Sequence, residues 1–303
     1  MIDFQTIIPE DRSAYTEALL SGSERGCEYS FANLYLWGRQ KLARLGDYFV
    51  AFSQFNRRSV YPWPVGSGDI RPVLEAIMLD AKERGIPCRI TGLSEGDMAL
   101  LEQFYPGKFR FHCDRDFYDY VYDIQDLADL KGRKFQKKRN HFNRFLASHP
   151  DHTVCPITPE LLPRVEEFLE GWYARRLAED PQGDFHMERS AIFRALRHLE
   201  ELGMESLLLM EEGKILAMTM ASPLSADTFD VHFEKALADV DGAYPAINCF
   251  FARYLREKYP QLRYLNREDD MGLEGLRKAK LSYCPHHLME KCWACLLEDG
   301  YDY

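Results

Sequence analysis

Three stretches of this chain concentrate side chains that could do chemistry. The first, 264–283, reads YLNREDDMGLEGLRKAKLSY. Its apolar lead predicts the end of a strand, and 272–281 predicts a helix. Asp269 and Asp270 stand where a helix start offers free N–H groups and the positive end of its dipole. Glu274 precedes Lys278 by four residues, the favourable order for a helical ion pair. Gly272, Gly275 and Ala279 leave one face nearly bare, so another backbone or a ligand can approach it. Two readings stand side by side. One is a solvated, well-capped helix. The other is one wall of a cleft, with Glu268 and Asp270 to bind or deprotonate an amine and Arg277, Lys278 and Lys280 to hold phosphate. Tyr283 directly after the helix is either a core aromatic or a general acid.

The second stretch, 228–235, alternates strictly. Phe229, Val231 and Phe233 point one way, and Asp230, His232 and Glu234 the other. On an edge strand the polar set is merely solvated. On an inner strand it must be paired or line a cleft. A turn follows, and then a helix with Pro245 near its first position. There Gly242, Ala243 and the helix N-terminus could cradle an anion through backbone N–H groups. Asn248 lies one turn beyond Tyr244.

The third stretch, 126–149, contains KGRKFQKKRNHFNRF. On a helical projection Leu127, Leu130, Phe135, Phe142, Phe145 and Leu146 share a broad face, with Arg133, Lys137 and Arg144 opposite. Lys138 falls between Phe135 and Phe142 in phase. It must snorkel, pair with an acid or meet a ligand, and the functional alternative is an anion site of Lys137, Lys138 and Arg139.

The elements that must position these groups follow one plan twice. Residues 1–125 predict a helix, antiparallel strands, a helix, a strand, a helix and strands, and 150–303 repeat that order. The expected fold is α+β, with an N-terminal domain over 1–125 and a C-terminal domain over 126–303 that begins with the basic linking helix 126–149. The net charge of −10 over 303 residues disfavours wholesale binding to nucleic acid or anionic membrane while leaving room for a local basic patch. No apolar run approaches the ~18–20 residues that span a bilayer, and 1–13 carries no signal-peptide pattern. The expectation is a cytoplasmic protein, with any membrane contact peripheral, and its eight cysteines are expected as reduced thiols. Cys292-Trp-Ala-Cys295 near Cys284, His286 and His287 invites a zinc reading. On a strand, however, a spacing of three puts the two thiols on opposite faces, so no metal set is assigned.

Residues 119–145, 232–252 (HFEKALADVDGAYPAINCFFA) and 266–285 (NREDDMGLEGLRKAKLSYCP) together resemble a bacterial family related to the C-terminal catalytic domain of lysylphosphatidylglycerol synthase. The resemblance implies two tandem GNAT-type domains, as in the Fem-type aminoacyltransferases, with mixed, mostly antiparallel sheets flanked by helices. It also implies acyl or aminoacyl transfer from aminoacyl-tRNA or acyl-CoA. The stretch from Ala238 to Ala243 lacks the leading basic residue of a GNAT pyrophosphate loop.

Three functions are therefore carried forward. The first moves an aminoacyl group to an amine or hydroxyl of a lipid headgroup or envelope precursor. Glu234, Glu268, Asp270 and Tyr283 would do its chemistry. Lys137, Lys138, Arg139, Gly242, Ala243, Asn248, Arg277, Lys278 and Lys280 would hold the donor, such as a tRNA 3′ end or CoA. Asp230, His232 and Tyr244 would face the acceptor. The second is acyl-CoA-dependent N-acetylation of a small amine or protein. The third is a non-catalytic ligand-binding module on the same fold.

Overall fold

The computed structural model describes residues 1–22, 24–37, 40–55 and 58–297. The end of the expected second domain, 298–303, lies outside them. In chain order the first elements are β1 (Gln5–Thr6), α1 (Arg12–Leu20), α2 (Phe31–Leu36), β2 (Gln40–Leu45), β3 (Tyr48–Phe55), β4 (Arg58–Pro62) and β5 (Val65–Gly66). Then come α3 (Arg71–Arg84), β6 (Arg89–Leu93), α4 (Glu95–Phe104), β7 (Phe109–Cys113), β8 (Asp119–Asp123), α5 (Ile124–Asp129), α6 (Gln136–Ser148) and β9 (Thr153–Cys155). The chain continues through α7 (Leu162–Glu179), α8 (His186–Arg197), β10 (Glu205–Glu211), β11 (Lys214–Ser225) and β12 (Thr228–Ala236). It ends with α9 (Ala243–Lys258), β13 (Tyr264–Asn266), α10 (Glu274–Leu281), β14 (His287–Met289) and β15 (Cys292–Leu296).

Contacts divide the chain into two compact units, and segments from both sides of residue 125 enter each. One holds Met1–Asp119, Asp269–Leu273 and the described residues from Leu288 onward; the other holds Tyr120–Glu268 and Glu274–His287.

The first unit's sheet runs β1-β2-β3-β4-β6-β15-β7, with β5 also on β3. Gly46-Asp47 makes the β2–β3 hairpin, with Leu45 opposite Tyr48. β4 and β6 are parallel, joined by the crossover through α3. The final strand, β15, lies between β6 and β7 and is antiparallel to both. That register sets Cys292 opposite Cys113, with Cα atoms 4.3 Å apart, and the two are joined as a disulfide. This corrects the expectation of reduced thiols throughout. Six cysteines remain free.

The second sheet repeats the logic: β14-β8-β13-β12-β11-β10-β9. β10, β11 and β12 form an antiparallel meander, and β12 and β13 are parallel across α9. β8 takes the place beside β13 that β15 takes beside β6. The basic stretch is two helices rather than one. Leu130 (φ 49) and Gly132 (φ 85) turn left-handed between α5 and α6, which breaks the i→i+4 ladder. α9 packs against α5 and α6. Phe135, Phe142 and Phe145 are buried, whereas Lys131 and Lys134 are exposed and pair with Asp129 and Asp126.

Both opening carboxylates, Asp269 and Asp270, belong to the first unit. Asp270, fully buried, faces Arg115 at 3.6 Å. Asp269 joins a cluster around Lys291, whose ammonium lies 2.6 Å from Asp119, 3.1 Å from Glu28 and 3.9 Å from Asp269. Burial alone would lower the Lys291 pKa, but Asp119, Cys27 and Glu28 around it hold it well above its ordinary value. Removing one partner of such a pair leaves an uncompensated buried charge. Lys291→Met should therefore destabilise the protein by about 3–5 kcal/mol in urea unfolding. A loss under about 1 kcal/mol, the level of an exposed pair, would show that the cluster does not stabilise the first unit.

Candidate active site

Within the second unit β12 is an inner strand between β11 and β13, so the edge-strand reading of 228–235 does not apply. Its polar residues are paired. Glu234, with 10% of its side chain exposed, accepts from Arg267 Nη2 at 2.9 Å and from Asn248 Nδ2 at 3.3 Å. His232 Nε2 lies 2.8 Å from Ser222 Oγ on β11. Its Nδ1 lies 3.3 Å from Asp230 Oδ2 and 3.8 Å from Glu268 Oε1.

These groups border a cavity of about 660 Å³ lined by residues of β12 and the turn after it, α6, α7, α8, the first turn of α9, α10 and the turn after β13. α6 brings in Lys138. Its neighbours in phase are buried phenylalanines, and its ammonium lies over the Tyr283 ring, 3.7 Å from the centroid. Burial and then the Arg267 charge push the Lys138 pKa down to about 8, with Glu234 opposing. The Arg267 guanidinium stacks on the same ring at 4.9 Å and on Tyr122 at 5.6 Å. Burial raises the Tyr283 pKa, Arg267 lowers it and Glu234 raises it, so the net direction is up and the hydroxyl stays protonated. Elsewhere in the lining the buried Lys235 ammonium lies 2.6 Å from Glu188 and 4.2 Å from the Trp172 ring centroid. Burial lowers its pKa and Glu188 opposes.

Of the residues singled out from sequence, Lys138, His232, Glu234, Tyr244, Glu268, Lys280 and Tyr283 meet at this one cavity. Asp230 and Asn248 touch it through His232 and Glu234. Lys280 also has a structural task, since its ammonium donates to the carbonyls of Arg267 (2.5 Å) and Glu268 (3.1 Å). Other candidates stand elsewhere. Arg139 donates to the carbonyls of Leu130 and Gly132 at the end of α5. Lys137 and Lys278 are exposed, Arg277 is half-buried, and none of the three lines the cavity. Asp270 is in the other unit.

Gly242 and Ala243 are also outside the lining. Gly242 (φ 82) packs so closely on α6 that an added Cβ would stand 2.5 Å from the His141 carbonyl oxygen. Ala243 N–H bonds to Val240, and Pro245 has no N–H, so this helix N-terminus offers an anion few donors.

Sequence reasoning missed Arg267, Lys235, Trp172 and Glu188. Arg267 adjoins Glu268 in the first informative stretch, so the end of a strand was the signal that could have found it. For the others, partners on α7, α8 and β12 are remote in sequence and leave no local mark.

The model of the family described as phosphatidylglycerol lysyltransferase, C-terminal, matches residues 21–295. A conserved protein of unknown function from Bacteroides thetaiotaomicron is 39% identical in sequence, with a TM-score of 0.93 over 98% of this chain and 100% of that one. L-PGS from Bacillus licheniformis is 18% identical, with a TM-score of 0.71 over 96% of this chain and 93% of that one. FemX is 12% identical, with a TM-score of 0.63 over 98% of both chains. The last two likenesses show the fold, α+β with two mixed sheets flanked by helices in the tandem GNAT arrangement. An uncharacterized protein of Mycoplasmoides gallisepticum is 26% identical over 175 residues, 57% of this chain, and the chain spans about half (54%) of the length of that curated relative. No described helix is long and apolar enough to cross a membrane.

The lowered pKa of Lys138 has a direct readout. Near pH 8 about half of its amine is neutral, whereas an ordinary lysine near 10.4 is almost wholly protonated. Brief acetylation at pH 8 with peptide mapping should label Lys138 well ahead of its exposed neighbour Lys137, and the advantage should shrink as pH rises toward 10.5. Equal labelling of the two at pH 8 would refute the perturbed site.

Proposed function

This chain belongs to the family of phosphatidylglycerol lysyltransferase C-terminal domains, and from that membership we propose that it is an aminoacyltransferase working in the cavity of the second unit. The donor is aminoacyl-tRNA. The acceptor is an amine or hydroxyl on a lipid headgroup or cell-envelope precursor. The supporting observation is the convergence of Lys138, Tyr283 and the Glu234–Arg267 pair on one wall.

In this reading the acceptor's nucleophilic atom attacks the ester carbonyl carbon of the donor. Its proton passes to the neutral Lys138 amine, whose pKa near 8 suits a general base. Negative charge on the carbonyl oxygen is met by Arg267, a permanent cation held in place by Glu234 and two tyrosine rings. As the ester C–O bond breaks, Tyr283 donates its proton to the departing ribose oxygen and recovers one from the Lys138 ammonium above its ring. The exposed Lys137 and Lys278 meet tRNA phosphates outside the cavity, which makes donor binding salt-dependent.

The acyl-CoA alternative needs an anion cradle at the start of α9, where the available N–H groups are few. With labelled aminoacyl-tRNA and a panel of envelope lipids and precursors, the protein should transfer the aminoacyl group. Lys138→Ala should lower kcat/KM by about 10²- to 10⁴-fold, the usual range for a lost general base. Turnover with acetyl-CoA alone would favour the second reading. Saturable donor binding without turnover, unchanged by Glu234→Gln, would favour a non-catalytic module.

A further inference from the structure

We propose that Asp230, His232 and Glu268 form a binding site for one divalent transition-metal ion. Each offers one ligand atom, and the three atoms lie within 4.8 Å of one another. The His232 side chain is only 2% exposed, and its buried Nδ1 makes no hydrogen bond. The other ring nitrogen, Nε2, sits 2.8 Å from Ser222 Oγ. With Nε2–H donating to that hydroxyl, the Nδ1 lone pair faces the carboxylates of Asp230 at 3.3 Å and Glu268 at 3.8 Å. Three electron-rich atoms then converge. A proton on Nδ1 can serve one carboxylate well, whereas a divalent ion serves all three donors. Imidazole with two carboxylates is the nitrogen–oxygen donor set of Zn²⁺ and Mn²⁺. A metal-bound histidine usually donates its second N–H to a neighbour, and in that tautomer Ser222 Oγ is the acceptor.

Glu268 is held rigidly for such a role. It adopts a left-handed backbone (φ 57), uncommon for a residue with a Cβ. Its N–H donates to Asn266 Oδ1 at 2.8 Å, and its carbonyl accepts from Tyr120 N and Lys280 Nζ, both at 3.1 Å. Strained backbone of this kind persists only where its surroundings over-determine it. The cluster Cys27, Glu28 and Asp119 in the first unit has comparable spacing, but there the chain supplies its own cation, the Lys291 ammonium. His232 and Glu268 both line the cavity, so a bound ion is open to an oxygen ligand such as a carbonyl or phosphate.

The test uses the whole chain, freed of metal with EDTA and titrated with MnCl₂, because Mn²⁺ prefers oxygen and nitrogen donors over the free thiols. Electron paramagnetic resonance of free Mn²⁺ should show one ion taken up per chain, and calorimetry with ZnCl₂ should show a tight site absent from Glu268→Gln. Ser222→Ala, which keeps all three ligands, should weaken binding by about 10- to 100-fold. Circular dichroism checks that each variant is folded, and an unfolded Glu268→Gln is replaced by Ser222→Ala as the deciding variant. Absence of saturable Mn²⁺ uptake, or equal affinity in a folded variant, would overturn the site. Neither readout depends on acyl transfer, so failure of the transfer assay and failure of metal binding are separate results.

Discussion

Arg267 carries a permanent charge into the interior of the second unit, and the arrangement around it follows from holding that charge there. Guanidinium cannot shed its proton to escape burial, so the fold must supply an anion and polarizable surfaces. Glu234 from β12 supplies the anion, and Tyr122 and Tyr283 supply ring faces. Asn248 from α9 fixes the other Glu234 oxygen. Three residues from separate parts of the chain therefore meet on one side chain. Lys138 then arrives over Tyr283 as a second cation in the same neighbourhood, and it responds by losing affinity for its proton. Partial burial is the larger cause of that reactive amine, and a structural charge that cannot move adds to it.

The same logic takes another form in the first unit. Lys291 is enclosed by Asp119, Glu28 and Asp269, and each of these carboxylates gains from the one ammonium they share. Here three acids surround one lysine, so its proton is held more tightly. In the second unit two cations share one acid, and the lysine among them is pushed the other way. Burial weakens the hold of both lysines on their protons; at Lys291 the surrounding acids overcome it, whereas at Lys138 the Arg267 charge adds to it.

Much of this was legible where it depended on local periodicity. Strict alternation in 228–235 placed Asp230, His232 and Glu234 on one face, and the helical phase of Lys138 put it among phenylalanines. Neither pattern by itself decided between solvent and cleft; the place of β12 inside its sheet and the ring of Tyr283 under Lys138 did. The run of charges at 267–270 was harder to divide. Arg267 and Glu268 serve the second unit and Asp269 and Asp270 the first, because the chain changes unit between residues 268 and 269. No local pattern marks such a crossing. The Cys113–Cys292 pairing joins residues 179 apart, and Lys235 meets Glu188 across 47 positions. Those depend on strand order, which one sequence does not display. Arg139 and Lys280 show a further limit: a basic residue suited to phosphate can instead satisfy the carbonyls at a chain turn.

The placement of β15 bears on how the protein is made. This strand lies inside the first sheet, flanked by β6 and β7, yet it lies among the last described residues of the chain. During synthesis β6 and β7 emerge early and face a gap that stays unfilled until some 180 further residues have been added. At about 5–20 residues per second that wait is on the order of ten seconds. Two unpaired strand edges are exposed to pairing with a wrong chain throughout it. The amino-terminal half therefore matures only after most of the carboxyl-terminal half has been translated, and a ribosome stalled before β15 would leave β7 with no place in its sheet.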